Sequence, residues 1–147
     1  MRIIHVFVLL LLGVAACAAT PIKGLLERID KGASRKFIIE QTNAPTDFFE
    51  LDQKDDKVVV RGNNYVCIAT GLNWYLKYYA GIHLSWNSMQ AELPEVLPAV
   101  KQKERHETTM KYRYNFNYCT FSYTMAFWDW ERWEKEIDWM ALHGINL

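Results

Sequence analysis

The sequence predicts an α/β chain in two parts, a small N-terminal α/β layer followed by the opening strand–helix–strand portion of a second α/β unit. Three observations predict it. Short alternating apolar runs stand on either side of one helical stretch between residues 36 and 86. A second alternation, rich in aromatics, runs over 111–119 and leads into another helical stretch that a glycine stops. The chain has 147 residues, 50% hydrophobic and 23% charged, which fits folded protein and not disorder.

Residues 1–19 read as a secretory signal, with Arg2 as the positive start, an apolar stretch over 3–14 and small residues over 15–18. Its exit supports two readings. Ala16-Cys17-Ala18 fits the small-residue rule for cleavage and release, whereas Val14-Ala15-Ala16-Cys17 resembles a bacterial lipobox in which Cys17 carries the lipid. Either way the chain is expected to be exported, as a periplasmic, cell-surface or secreted protein, with a membrane contact only through a lipid on Cys17.

A short amphipathic helix follows over 20–32, where Pro21 suits the first turn, Ile22, Leu25, Leu26 and Ile29 share a face, and Gly32 stops it. A strand is expected over 36–42. Two more, over 47–52 and 57–62, are joined by the charged turn at 53–56 into a hairpin. From 65 to 80 the spacing is helical, with Ile68, Leu72, Tyr75, Leu76 and Tyr79 on one face and Gly81 as the stop. A strand at 83–86 and an edge strand passing into a linker, with Pro94 and Pro98, complete this domain over 20–105.

The second unit, 106–147, opens with the alternation of Tyr112, Tyr114, Phe116 and Tyr118 against Arg113, Asn115, Asn117 and Cys119, expected as a strand. A loop over 120–127 and a helix over 128–143 come next. The helix has Trp130, Trp133, Ile137, Met140 and Ala141 as its apolar stripe, with Glu131–Lys135 and Arg132–Glu136 as ion pairs on its wet side. Asp129 is placed to cap it, Gly144 ends it, and Ile145-Asn146-Leu147 begins another strand. A βαβ unit of about 40 residues does not close a sheet alone, so the chain is expected to be a piece of a longer architecture.

Seventeen basic residues balance 17 acidic ones, and no Lys/Arg run exceeds two residues, so nucleic acid is not an expected partner. No CxxC or Cys/His spacing points to a metal, and no cofactor is expected. Cys67 reads as a small buried hydrophobe; whether it meets Cys119 in a disulfide stays open. Glu134 and Asp138 form an i,i+4 carboxylate pair, which reads better as the solvated flank of a helix than as an acid/nucleophile pair.

The run NYCTFSYTMAFWDWERWEKEIDWMALHGINL, residues 117–147, resembles the start of the catalytic barrel in the α-N-acetylglucosaminidases, glycoside hydrolase family 89. VVVRGNNYVCIATGLNWYLKYYAGIHLSW, residues 58–86, is similar to the N-terminal α/β domain of that family. The resemblance implies the first βαβ portion of a truncated (β/α)8 TIM-type barrel behind a small α/β domain. It further implies an exported, retaining exo-glycosidase that removes terminal α-linked N-acetylglucosamine from glycans, using two carboxyl groups about 5 Å apart. In the family both are glutamates on later barrel strands, which places them beyond Leu147 and leaves this chain inactive alone. The Asn-x-Cys of the family falls on Asn117 and Cys119, implying substrate contacts there. Trp128 and Trp130 offer sugar-stacking faces, although at helical spacing a Trp stripe is more often core. The competing expectation is a stand-alone glycan-binding lipoprotein.

Overall fold

The computed structural model describes residues 21–116 and 119–147. The leader expected at 1–19, with Cys17, lies outside the described residues, as does Asn117.

Helix α1 (Pro21–Ile29) buries Ile22, Leu25, Leu26 and Ile29, the face expected from spacing. Gly32, at φ 90°, ends the turn after it, a conformation that a side chain would strain. A short 3-10 turn (Ala33–Lys36) delivers the chain into β1 (Phe37–Gln41). The hairpin forms as β2 (Asp47–Lys54) and β3 (Lys57–Gly62), with Asp55 in the left-handed region at its tip. Helix α2 (Tyr65–Tyr78) starts at Asn64, whose side-chain oxygen accepts the Cys67 N–H at 2.9 Å.

The sheet order is β1-β3-β2-β4, with β1 parallel to β3 and the other pairs antiparallel. One face of the sheet carries α2. The close seat depends on Gly71, since a Cβ there would stand 3.0 Å from both Phe49 Cβ and Val60 Cγ1. The core joins α1 and α2 to the inward residues of the sheet, with Leu26, Leu51, Val60, Leu72 and Tyr75 fully buried.

Four expected elements differ. Residues 83–86 form no strand: the alternation is real, with Leu84 buried between exposed His83 and exposed Trp86, but Ile82 N–H closes onto Leu76 C=O at 2.8 Å and only a Ser85–Ser88 bridge follows. The apolar side chain is thus buried by a turn folding back on α2 and not by a ladder. Residues 87–103 are an extended strap across the core, burying Leu93, Leu97 and Val100 and accepting the Tyr75 hydroxyl at Pro98 C=O, 2.5 Å. The strap ends in β4 (Glu104–Thr108), an edge strand on β2 that runs across position 105.

The strand expected over 111–119 is also absent from its described part, 111–116, because no second strand lies alongside to complete a ladder. What is present is the beginning of one. Asn146 and Leu147 N–H both donate to Arg113 C=O, at 3.0 and 3.3 Å, bringing the two ends of the βαβ unit side by side. The loop expected at 120–127 instead contains a one-turn helix, α3 (Thr120–Tyr123). Helix α4 (Trp130–Leu142) is capped by Asp129, which accepts the Arg132 N–H at 2.9 Å, and is stopped at Gly144 with φ 77°.

Candidate functional site

The site is built on α4 and the segment before it, and α4 turns much of its apolar stripe outward, keeping Ala141 against the core. Its buried residues are Glu136, Asp138 and Leu142, with Glu136 only 1% exposed, while Trp130 is 69% and Ile137 45% exposed. Of the carboxylates expected in solvent, Glu136 and Asp138 lie on the docking face, whereas Glu131 stays exposed beside Lys135 as expected. Arg28 of α1 donates Nε and Nη2 to the two Asp138 oxygens at 2.6 and 2.7 Å and reaches Glu134 at 3.4 Å. Glu136 accepts the Trp86 indole N–H at 2.6 Å and Arg132 Nη2 at 2.7 Å. Periodicity correctly separates the two faces, but the polar one meets a guanidinium and an indole donor, so it is buried and satisfied.

This disposes of the i,i+4 pair as acid and nucleophile. Asp138 is clamped by a forked guanidinium and Glu134 shares it, so neither is available to shuttle a proton. The other helix carboxylates are engaged too, Asp129 in the cap and Glu131 with Lys135 at 3.5 Å.

A second joint holds the start of the βαβ unit to the sheet. Arg113 donates to Asp47 at 2.7 Å, to Met110 C=O at 2.6 Å and to Gly144 C=O, while Asn63 and Asn64 amides also bond Asp47, at 3.0 and 2.9 Å. The Asn63 hydrogen bond foremost, and then Arg113, hold the Asp47 carboxyl below its ordinary 3.8. Asp52 is likewise lowered by Arg61, and Glu104 by the Tyr79 hydroxyl with His106 and Trp74.

These depressed values fix the sign of an acid effect. A carboxyl that ionises more readily when folded binds fewer protons in the native state, so its stabilisation is complete above the unfolded value and is lost as pH falls through the folded one. The melting temperature is therefore expected to drop on acidification from about pH 5 to about pH 3, with Asp47→Asn flattening that slope. Thermal melts across this window check it; an unchanged slope in the variant would remove Asp47 from the account.

Just before α3, Cys119 is exposed and its carbonyl accepts the Ser122 and Tyr123 N–H groups at 3.2 and 3.3 Å, starting that turn. Cys67 and Cys119 form no disulfide; Cys67 is buried, and burial pushes its thiol up to about 11, which makes it a poor nucleophile. Against residues 115–116 lies a pocket of about 390 Å³ lined by Trp86, Asn115, Phe116, Thr124, Trp128, Glu136 and Trp139. Trp128 is half-buried, edge-on to Trp133 at 5.1 Å, with the Arg132 guanidinium 4.1 Å over its ring. Arg132 lies over Trp86 as well, at 4.8 Å. Trp130, by contrast, points away from this packing.

Indole faces beside an amide and a hydroxyl can hold a sugar ring, but no nucleophile–acid pair stands there among the described residues. Trp128, offered by the sequence as a stacking face but read more readily as core, lines this pocket; Cys119 is not among its lining residues, and the sequence does not single out Trp86, Asn115 and Trp139. The only local signal for Trp86 is a large aromatic in a polar turn, Ser85-Trp86-Asn87-Ser88. Among the described residues no group of three or more His, Cys, Asp or Glu could hold a metal ion, and no helix is long and apolar enough to cross a membrane.

Comparison with known proteins follows this division. A family model described as the α-N-acetylglucosaminidase N-terminal domain matches residues 20–99, and one described as that family's tim-barrel domain matches 113–147. Human α-N-acetylglucosaminidase is 50% identical over 91 residues, which are 62% of this chain and 12% of the human protein. A family 89 glycoside hydrolase from Clostridium perfringens, solved with PUGNAc, superposes with a TM-score of 0.77 at 39% identity, covering 85% of this chain and 15% of that one. The same enzyme with two glutamates replaced by glutamine, solved with its substrate GlcNAc-α-1,4-galactose, gives a TM-score of 0.75 at 38% identity over the same shares. The chain thus spans about an eighth of the length of its curated relative.

Proposed function

The chain belongs to the α-N-acetylglucosaminidase family, and from that premise we propose that it is the N-terminal part of an exported, retaining exo-glycosidase acting on terminal α-linked N-acetylglucosamine. Within that enzyme it supplies the α/β domain and the first strand and helix of the barrel. The observation that carries this reading is the order of the two family matches, accessory domain then barrel start, on one chain that superposes on a glycan-cleaving relative over 85% of its length.

Retaining hydrolysis requires one carboxyl group to protonate the leaving oxygen and another to attack the anomeric carbon, about 5 Å apart. All five carboxylates around α4 are committed to its cap, its ion pairs or its seat. We place the acid and the nucleophile on residues outside 1–147, where the family resemblance puts both glutamates. The glutamate-to-glutamine changes in the substrate-bound relative support glutamates in those roles. Asn117 and Cys119 stand as proposed contacts to the sugar, as the family's Asn-x-Cys implies, since C-terminal strand ends are where barrel enzymes place their sites. A leader ending at Cys17, with or without a lipid, is part of the same proposal.

Purified 1–147 is expected to release no product from a chromogenic α-N-acetylglucosaminide. Release above the no-protein control would refute the assignment of the carboxyl pair to residues outside this chain; saturable sugar binding without turnover is the expected companion result.

A further inference from the structure

A cleft between α1, the 86–90 turn and the flank of α4 carries groups that neither the helix seat nor the Trp128 pocket uses. It encloses about 430 Å³, within the range of small-molecule sites. Trp86 stands at its edge, 50% exposed, with Asn87, Ser88 and Gln90 beside it, all exposed. The indole is not free to swing. Its N–H is held by Glu136 at 2.6 Å and the Arg132 guanidinium lies 4.8 Å over the ring. A fixed, half-open aromatic ring next to two amides and a hydroxyl matches a pyranose, whose C–H face packs on an indole while its hydroxyls both donate and accept.

Charge selects among sugars. The lining holds four acidic side chains, Glu27, Glu131, Glu134 and Asp138, against two basic ones, Arg28 and Lys135. Both basic groups are already paired, Arg28 with Asp138 and Lys135 with Glu131. A sulfated or uronic sugar would enter a site with surplus negative charge, whereas a neutral one would not.

We propose that this cleft is a second, non-catalytic glycan-binding site, which takes a neutral pyranose residue against Trp86, Asn87 and Gln90. Trp86 also borders the Trp128 pocket, so a glycan chain leaving one site passes directly to the other. The site does not require that the family's hydrolysis take place on this chain.

The test is saturation-transfer NMR with the full chain at micromolar concentration, using methyl α-N-acetylglucosaminide, methyl α-galactoside and N-acetylglucosamine 6-sulfate as probes. The neutral glycosides are expected to saturate in the range of about 1–10 mM, the weak end of the affinity scale, and the sulfated sugar to bind at least about threefold more weakly. Trp86→Ala is expected to abolish the signal. Because Trp86 also supports Glu136, the deciding variant is Asn87→Ala/Gln90→Ala, two exposed positions whose change leaves the fold intact and is expected to weaken binding about fivefold or more. No saturation by about 50 mM, unchanged binding in the double variant, or tighter binding of the sulfated sugar would each overturn the proposal.

Discussion

Arg113→Ala is expected to destabilise the chain by about 3 kcal/mol, the scale of a lost charged hydrogen-bond hub, and to release the βαβ unit from the sheet before the sheet itself melts. Arg113 is a half-buried guanidinium that reaches Asp47, Met110 C=O and Gly144 C=O, while its own carbonyl takes the Asn146 and Leu147 N–H groups. Its removal strips the barrel start of its attachment to β2 and leaves Asp47 with the Asn63 and Asn64 amides and the Cys67 side chain. Hydrogen exchange would show this as lost protection at 144–147 with β1–β3 unchanged. Uniform loss of protection across both parts would mean that they form one cooperative unit with no separable joint.

Gly62→Ala is expected to cost about 3 kcal/mol, a large overpacking effect, and to lower the melting temperature by roughly 10 °C. Gly62 is required for space and not for its backbone angle. A Cβ there would stand 2.9 Å from Ile68 Cγ1, 3.0 Å from the Ile68 backbone nitrogen and 3.1 Å from Phe48 C=O. Two of these are main-chain atoms of fixed elements, so relief means lifting the first turn of α2 off the end of β3. Gly24→Ala is the matched control. Its Cβ would meet only the tip of Arg28, at 3.2 Å, and a helix gains about 0.5–1 kcal/mol from alanine over glycine. Equal losses in the two variants would show that the close approach at Gly62 is not the cause.

The elements most legible in the sequence are those whose periodicity ends at a glycine or an asparagine. Helices α1 and α2 bury the expected residues, and the hairpin turns where Asp55 permits a left-handed residue. Local pattern says which side chains share a face, and for these elements there is one sheet to bury that face against. It fails where the partner is remote in sequence. Leu84 alternates as in a strand but is covered by a turn, and 111–116 alternates more strongly still without a neighbour to bond. Helix α4 is the clearest case. Its stripe is correctly drawn, yet the buried side is set by Arg28 and Trp86, whose positions relative to Glu136 and Asp138 no local signal encodes. The sugar-stacking candidates suffered the same way, since Arg132, lying over both rings, brings Trp86 to Trp128 across 42 positions of chain.

Arg28 and Asp138 are 110 positions apart in the chain, and that separation dictates an order of events during folding. Closing a flexible loop of such length costs about 4 kcal/mol in chain entropy by logarithmic scaling, more than one forked ion pair at the rim returns. The loop is shortened beforehand when β1, β2, β3 and α2, whose contacts are mostly between near neighbours in sequence, have already condensed with Arg28 and Trp86 displayed on their surface. Helix α4 then meets a rigid template in a single docking step. During synthesis, the first domain to leave the ribosome acts as the mould against which the first helix of the next is set.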